Sequence, residues 1–162
     1  MRIAILTVSD GVASGSREDL SGPAIREWAV ARGNVVAAER VVADDGNAIA
    51  VMLSEWADGD VADVILTTGG TGLAPRDVTP EATQQVIERA TPGIAEALRY
   101  TAFARVPNAA LSRGVSGVRG KTLIINLPGS PRAVREGLEV LDQVLNHAVA
   151  ILRGETTSHE TA

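Results

Sequence analysis

Short, almost wholly apolar runs alternate along this chain with longer amphipathic ones. Residues 2–8 (RIAILTV), 35–43 (VVAAERVVA), 61–68 (VADVILTT) and 122–127 (TLIINL) have the length of strands and lack the strict in-out alternation of a half-wetted sheet. Such runs belong to strands covered on both faces. Between them, Leu20, Ala24, Ile25, Trp28 and Ala29 fall on one helical face, with Ser21 and Pro23 as start signals and Gly33-Asn34 as the stop. A second amphipathic helix is expected over 47–57, a third over 79–90 opened by Thr79 as cap and Pro80 as first residue, and another over 94–105. The glycine-rich stretch 111–120 reads as a turn or hairpin. Beyond it, Ser130 and Pro131 open a last helix that runs to Gly154. Strand-helix alternation of this kind specifies an α/β fold, three-layer, with a mainly parallel sheet and helices on both faces. A single domain is expected over 1–154, followed by a flexible polar tail at 155–162.

Composition removes several kinds of chemistry. With no cysteine among 162 residues, thiol catalysis, disulfides and cysteine-ligated metals are excluded. The only histidines, His147 in the last helix and His159 in the tail, do not make a catalytic triad or a multi-histidine metal site. Trp28, Trp56, Tyr100 and Phe103 are the whole aromatic set, so the core is aliphatic and stacking platforms for single-stranded nucleic acid are missing. A formal net charge of −5 likewise disfavours a broad polyanion surface. No apolar run approaches the ~20 residues that span a bilayer, and no targeting segment is visible. No nucleic acid, no membrane and a cytoplasmic location are therefore expected.

In open α/β sheets, ligands sit beyond the carboxyl ends of the parallel strands. The turns that follow the strands should therefore converge: Ser9-Asp10, Asp44-Asp45, Gly69 to Gly72, and Pro128-Gly129-Ser130. Glycines after a strand let backbone N–H groups approach a phosphate, and Thr67, Thr68 and Thr71 add hydroxyls. Arg76 and Asp77 stand between that loop and the third helix. The carboxylate is suited to holding Mg²⁺ against phosphates, and the arginine to an anion or a nearby carboxylate. Asp44 and Asp45 also fit a plain turn, but magnesium takes one or two carboxylates beside substrate phosphates, and Asp44 and Asp77 offer them from separate turns. Two decoys fail. Gly120-Lys121-Thr122 ends like a P-loop, but the required first glycine is Val115 and Thr122 leads into a strand. Gly70 and Gly72 begin a dinucleotide fingerprint that Pro75 breaks.

Taken together, Thr7-Val8-Ser9-Asp10, Thr67 to Gly72, Pro75-Arg76-Asp77-Val78-Thr79-Pro80-Glu81, Ala110-Leu111-Ser112-Arg113 and Asn126 to Pro131 resemble the MogA/MoaB family, including the gephyrin G domain. The resemblance runs in order over roughly residues 2–153. It implies transfer of AMP from ATP, as co-substrate with Mg²⁺, to the phosphate of molybdopterin, releasing pyrophosphate during molybdenum cofactor biosynthesis. It further implies a homotrimer and a downstream molybdenum-insertion enzyme as partner. It matches Asp44 and Asp77 to two aspartates important in the family, and the glycine loop (Thr68, Gly69, Gly70, Thr71, Gly72) to its ligand loop. Ser9, Asp10, Arg76, Ser112, Pro128, Gly129 and Ser130 complete the expected pocket. Ala43 departs from the Pro that often precedes the first aspartate, which leaves Asp45 as the alternative to Asp44. The alternative function is a non-catalytic, pterin-binding paralogue.

Overall fold

The computed structural model describes residues 1–155. The strands are β1 (Arg2–Val8), β2 (Val35–Val42), β3 (Val64–Thr68), β4 (Arg89–Ala90), β5 (Ser116–Arg119) and β6 (Thr122–Leu127). The helices are α1 (Asp10–Ala13), α2 (Ser21–Ala31), α3 (Gly46–Asp58), α4 (Thr79–Val86), α5 (Pro92–Phe103), α6 (Pro131–Leu141) and α7 (Leu145–Arg153), with a 3-10 turn over Pro107–Leu111. One sheet has the order β2-β1-β3-β6-β5-β4. β2, β1, β3 and β6 are mutually parallel, whereas β5 and β4 are antiparallel additions at the far edge.

Successive side chains of a strand enter opposite faces, and this divides the core. Ile3, Ile5, Val64, Leu66, Leu123 and Ile125 pack with Ile25 and Trp28 of α2 and with Val134 and Leu138 of α6. Ala4, Leu6, Ile65 and Ile124 pack on the other side with Ile49, Leu53 and Trp56 of α3 and Ala82 and Val86 of α4. Both faces of β1, β3 and β6 are thus covered, which is why these strands read as continuous apolar runs, whereas β2, expected to be covered likewise, is an edge strand with no fully buried residue. The expected three-layer α/β architecture is the observed one. Among the described residues no helix is long and apolar enough to cross a membrane.

Several boundaries differ from the expectation, each for a reason in the backbone. The polar turn expected at Ser9-Asp10 opens the single-turn helix α1, because Ser9 Oγ accepts from the Val12 N–H at 3.3 Å. The third helix stops at Val86 instead of 90: Glu88 N and Thr91 N donate to Val118 O (2.8 Å) and Ser116 O (2.9 Å), so the chain leaves the helix to add β4 to the sheet edge. Thr79 is the first residue of α4 and not its cap; its hydroxyl donates instead to Gly69 O at 2.9 Å. The start of α2 is served by Asp19, whose Oδ1 accepts from the N–H groups of Ser21 and Gly22 at 3.0 and 2.9 Å. The single last helix is two: i→i−3 bonds at Gln143 and Val144 tighten the chain between α6 and α7. At that break Asp142 accepts from Trp28 Nε1 at 2.9 Å and pairs with Arg32. Gly154 ends α7 in the left-handed region as expected (φ 74°). Of the tail expected over 155–162, all but Glu155 lies outside the described residues.

Candidate active site

The carboxyl ends of β1, β2, β3 and β6 deliver their turns to one place. Gly69 and Gly70, directly after β3, both have positive φ (97° and 64°). A Cβ on Gly69 would stand 2.2 Å from Val8 O, and one on Gly70 would stand 2.3 Å from Thr79 Oγ1. Real side chains do not approach so closely, so this loop is open to glycine alone. Thr68 Oγ1 donates to Pro128 O at 2.7 Å and Ser21 Oγ to Gly129 O at 2.7 Å. The turn after β6 is thereby tied to β3 and α2. Ser130 caps α6, accepting from Ala133 N at 3.2 Å.

Two clefts open here. One, of about 570 Å³, is lined by Ser9, Asp44, Thr68, Gly69, Gly70, Asp77, Gly129 and Ser130, together with Arg17 and Asp19. The other, of about 590 Å³, lies between the glycine loop, α5 and α6. Its lining includes Thr71, Gly72, Ser112 and Pro128, and apolar residues such as Leu98, Val106 and Leu111. Gly70, Asp77, Gly129 and Ser130 belong to both, so the clefts share a wall. Of the expected residues, Asp45 and the buried Thr67 line neither, and nor do Asp10 and Arg76. They pair with each other, Arg76 Nη2 to Asp10 Oδ1 at 2.9 Å, and Arg76 also reaches Asp44 O at 3.2 Å. Arg76 thus takes the carboxylate partner that the sequence left open beside an anion.

Asp44 and Asp45 are held differently. Asp45 Oδ1 accepts from Ala48 N at 2.8 Å as the N-cap of α3, which spends it on the helix. Asp44 turns to the cleft. Its Oδ2 accepts from Asp10 N at 2.8 Å, and Asp10 Oδ1 accepts in return from Asp44 N at 3.0 Å. Asp44 Oδ1 stands 3.2 Å from where a Gly70 Cβ would be. Across the cleft, Asp77 Oδ2 accepts from Ala74 N at 2.8 Å. In each aspartate one oxygen is fixed by a backbone N–H, while Oδ1 accepts no hydrogen bond among the described residues. Asp10 is held below the usual carboxylate range by the Arg76 guanidinium first and the Asp44 N–H second.

Sequence reasoning missed Asp19 and Arg17, and it gave no role to Arg113 and Asn126, although both lie in the motifs that carry the family resemblance. Arg17 Nη2 donates to Ser9 Oγ at 2.7 Å, and Asp19 Oδ2 accepts from Thr7 Oγ1 at 2.7 Å. Asn126 bridges Thr67 Oγ1 and Thr83 Oγ1, each at 3.0 Å, and accepts from Val115 N at 3.1 Å. Asn126 reaches Thr67 and Thr83 across 59 and 43 residues, whereas Arg17 and Asp19 reach back only 8 and 12, across a loop with no regular period.

A family profile described as a probable molybdopterin binding domain matches residues 4–147. The chain belongs to the MogA/MoaB molybdopterin-binding family. It is 41% identical over 164 residues to a molybdopterin adenylyltransferase of Helicobacter pylori, covering 95% of this chain and 89% of that protein. It is also 41% identical over 149 residues to the molybdenum cofactor synthesis protein cinnamon of Drosophila melanogaster, covering 91% of this chain but only 25% of that longer protein. Among solved structures, the molybdopterin biosynthesis enzyme MoaB of Thermus thermophilus superposes with a TM-score of 0.89 at 51% identity, covering 94% of this chain and 96% of that one. Within this family the two clefts are the candidate site.

Proposed function

We propose that the protein is a molybdopterin adenylyltransferase acting in molybdenum cofactor biosynthesis, and that it moves AMP from ATP onto the terminal phosphate of molybdopterin. One observation carries the reading: two clefts of substrate size meet at Gly70, Asp77, Gly129 and Ser130. Two substrates lodged side by side would bring their phosphates to that shared wall. The apolar cleft suits a heterocycle, and the glycine loop offers unobstructed backbone to phosphate oxygens.

An oxygen of the pterin phosphate forms a bond to the α-phosphorus of ATP. The bond from that phosphorus to the oxygen bridging toward the β-phosphorus breaks, and pyrophosphate leaves with the electron pair. A phosphate nucleophile is already ionised, so no general base is required. The protein's task is positioning and electrostatic support, consistent with a chain that has no cysteine and, among the described residues, no histidine lining the clefts.

Asp44 and Asp77 fit a magnesium ion. Both line one cleft, and each keeps an oxygen unclaimed. Among the described residues no cluster of three or more His, Asp or Glu occurs, and magnesium needs only one or two carboxylates beside phosphate oxygens and water. Bound there, Mg²⁺ would offset the phosphate charge that the two aspartates themselves repel. The remaining parts of the proposal are a homotrimer, a cytoplasmic location and hand-over of the adenylated pterin to a molybdenum-insertion enzyme.

The test is to incubate the protein with molybdopterin, ATP and Mg²⁺ and to measure adenylated pterin and pyrophosphate, with Asp77→Asn alongside. We expect Mg²⁺-dependent product, reduced about 100-fold or more in the variant. No product together with tight pterin binding would replace the enzyme by the non-catalytic paralogue. Near-normal rate and Mg²⁺ dependence in Asp77→Asn would remove the metal role from Asp77.

A further inference from the structure

We infer that Arg113 is the positioning residue of this site: it holds both ends of the loop that presents Asp77. The inference rests on the adenylyltransferase reading above. Ser112 and Gly114 line the apolar cleft, but Arg113 does not. Its backbone N–H donates to Thr71 O at 2.9 Å and its Nε to Gly72 O at 2.7 Å. The two remaining guanidinium nitrogens reach Asp77 O and the Glu81 carboxylate of α4. One side chain therefore joins the first and last residues of the segment 72–77 to each other and to the following helix. Within that segment Ala74 N donates to Asp77 Oδ2 at 2.8 Å, and Asp77 N to Ala74 O at 2.9 Å. With the loop ends pinned, Asp77 keeps one oxygen on Ala74 N and presents the other to the wall shared by the two clefts.

The planar fork is what makes this possible. A lysine ammonium keeps the charge but is a point donor on a flexible stem, and it does not span a carbonyl at each loop end and a carboxylate together. Misplacement of a reacting group by about 1 Å costs on the order of 100-fold in rate. Arg113→Lys should therefore lower kcat about 10- to 100-fold while KM for ATP and molybdopterin moves less than about 3-fold. The Mg²⁺ concentration giving half-maximal rate should rise.

Amide hydrogen exchange supplies a readout independent of turnover. In Arg113→Lys the Ala74 and Asp77 amides should exchange at least ~10-fold faster, with a smaller rise in Glu81→Gln, which weakens one anchor by removing its charge. Arg119→Lys, which loses a two-point pair to Asp58 at 2.8 Å on the β5–β6 hairpin, is the control and should change neither kcat nor exchange at 72–77. Retained kcat in Arg113→Lys, or exchange unchanged at Ala74 and Asp77, overturns the inference. If the unmodified protein makes no adenylated pterin, the functional reading falls instead, and the exchange comparison alone decides whether Arg113 holds the loop.

Discussion

Gly69 and Asn126 show how little tolerance single positions have around the site. Gly69→Ala combines a left-handed φ with a Cβ 2.2 Å from Val8 O. The conformation alone costs about 1–3 kcal/mol for a side-chain-bearing residue, and the backbone must shift further to relieve the contact. Urea denaturation should register a loss of at least about 2 kcal/mol, and Mg²⁺-dependent adenylation should fall with it. Asn126 is 4% exposed, and its amide serves three partners at once. Asn126→Leu keeps the branching at Cγ but strands the Val115 N–H and takes a shared donor from Thr67 and Thr83. Each buried group left unsatisfied costs about 1–3 kcal/mol, so the variant should melt well below the parent, whereas a surface change such as Arg40→Gln should not.

Helices and strands are fastened at their ends, and the fastenings titrate. At the sheet end opposite the clefts, Arg2 on β1 and Arg153 on α7 converge on Asp60 and Asp63, the residues just before β3. Asp60 is lowered to about 2, by hydrogen bonding to Arg153 first and to Arg2 second. Burial alone would raise Asp63, but the Arg2 N–H and guanidinium and the Arg153 charge outweigh it and leave it lowered. A depressed carboxylate stabilises the fold above its ordinary pKa of 3.8 and loses that contribution as pH falls toward 2. Thermal melts between pH 5 and pH 2, a range set by these two values, should show the parent losing stability more steeply than Asp60→Asn. Equal slopes would remove this network as an acid-sensitive tie for α7. At the other end of the sheet, Ser130→Ala removes the cap of α6 and should cost about 1 kcal/mol.

Across the domain, strand order places the site. Because β1, β2, β3 and β6 are parallel, their four following turns emerge on one edge, and segments as distant as Ser9 and Ser130 line one cleft. The surface also bears on assembly. Val144 and Ile151, residues off the main stripe of the last helical segment, are exposed, as are Tyr100, Phe103 and Leu111 around α5. Val140 instead lines the apolar cleft. Sedimentation velocity should find a trimer of about 50 kDa, three times the 16.8 kDa chain; a monomer at micromolar concentration would exclude the trimer part of the proposal.

The strand-helix alternation, the burial of both sheet faces and the convergence of the polar turns were legible in the amino-acid sequence, though not α1, β4 or the break between α6 and α7, because periodicity and chain reversal are local properties. Gly69 to Gly72, Asp44 and Asp77 were singled out there too, and the fold brings them to the two clefts. Tertiary structure decided matters that depend on competition for hydrogen bonds. Asp45 went to a helix cap and Asp44 to the cleft, Thr79 gave its hydroxyl to Gly69 instead of to α4, and residues 89–90 left a helix to pair with β5. Arg113 belongs with these. It closes the Ala110 to Arg113 motif, but the motif does not state its role, because a guanidinium's partners are chosen by which carbonyls and carboxylates the folded chain brings within reach.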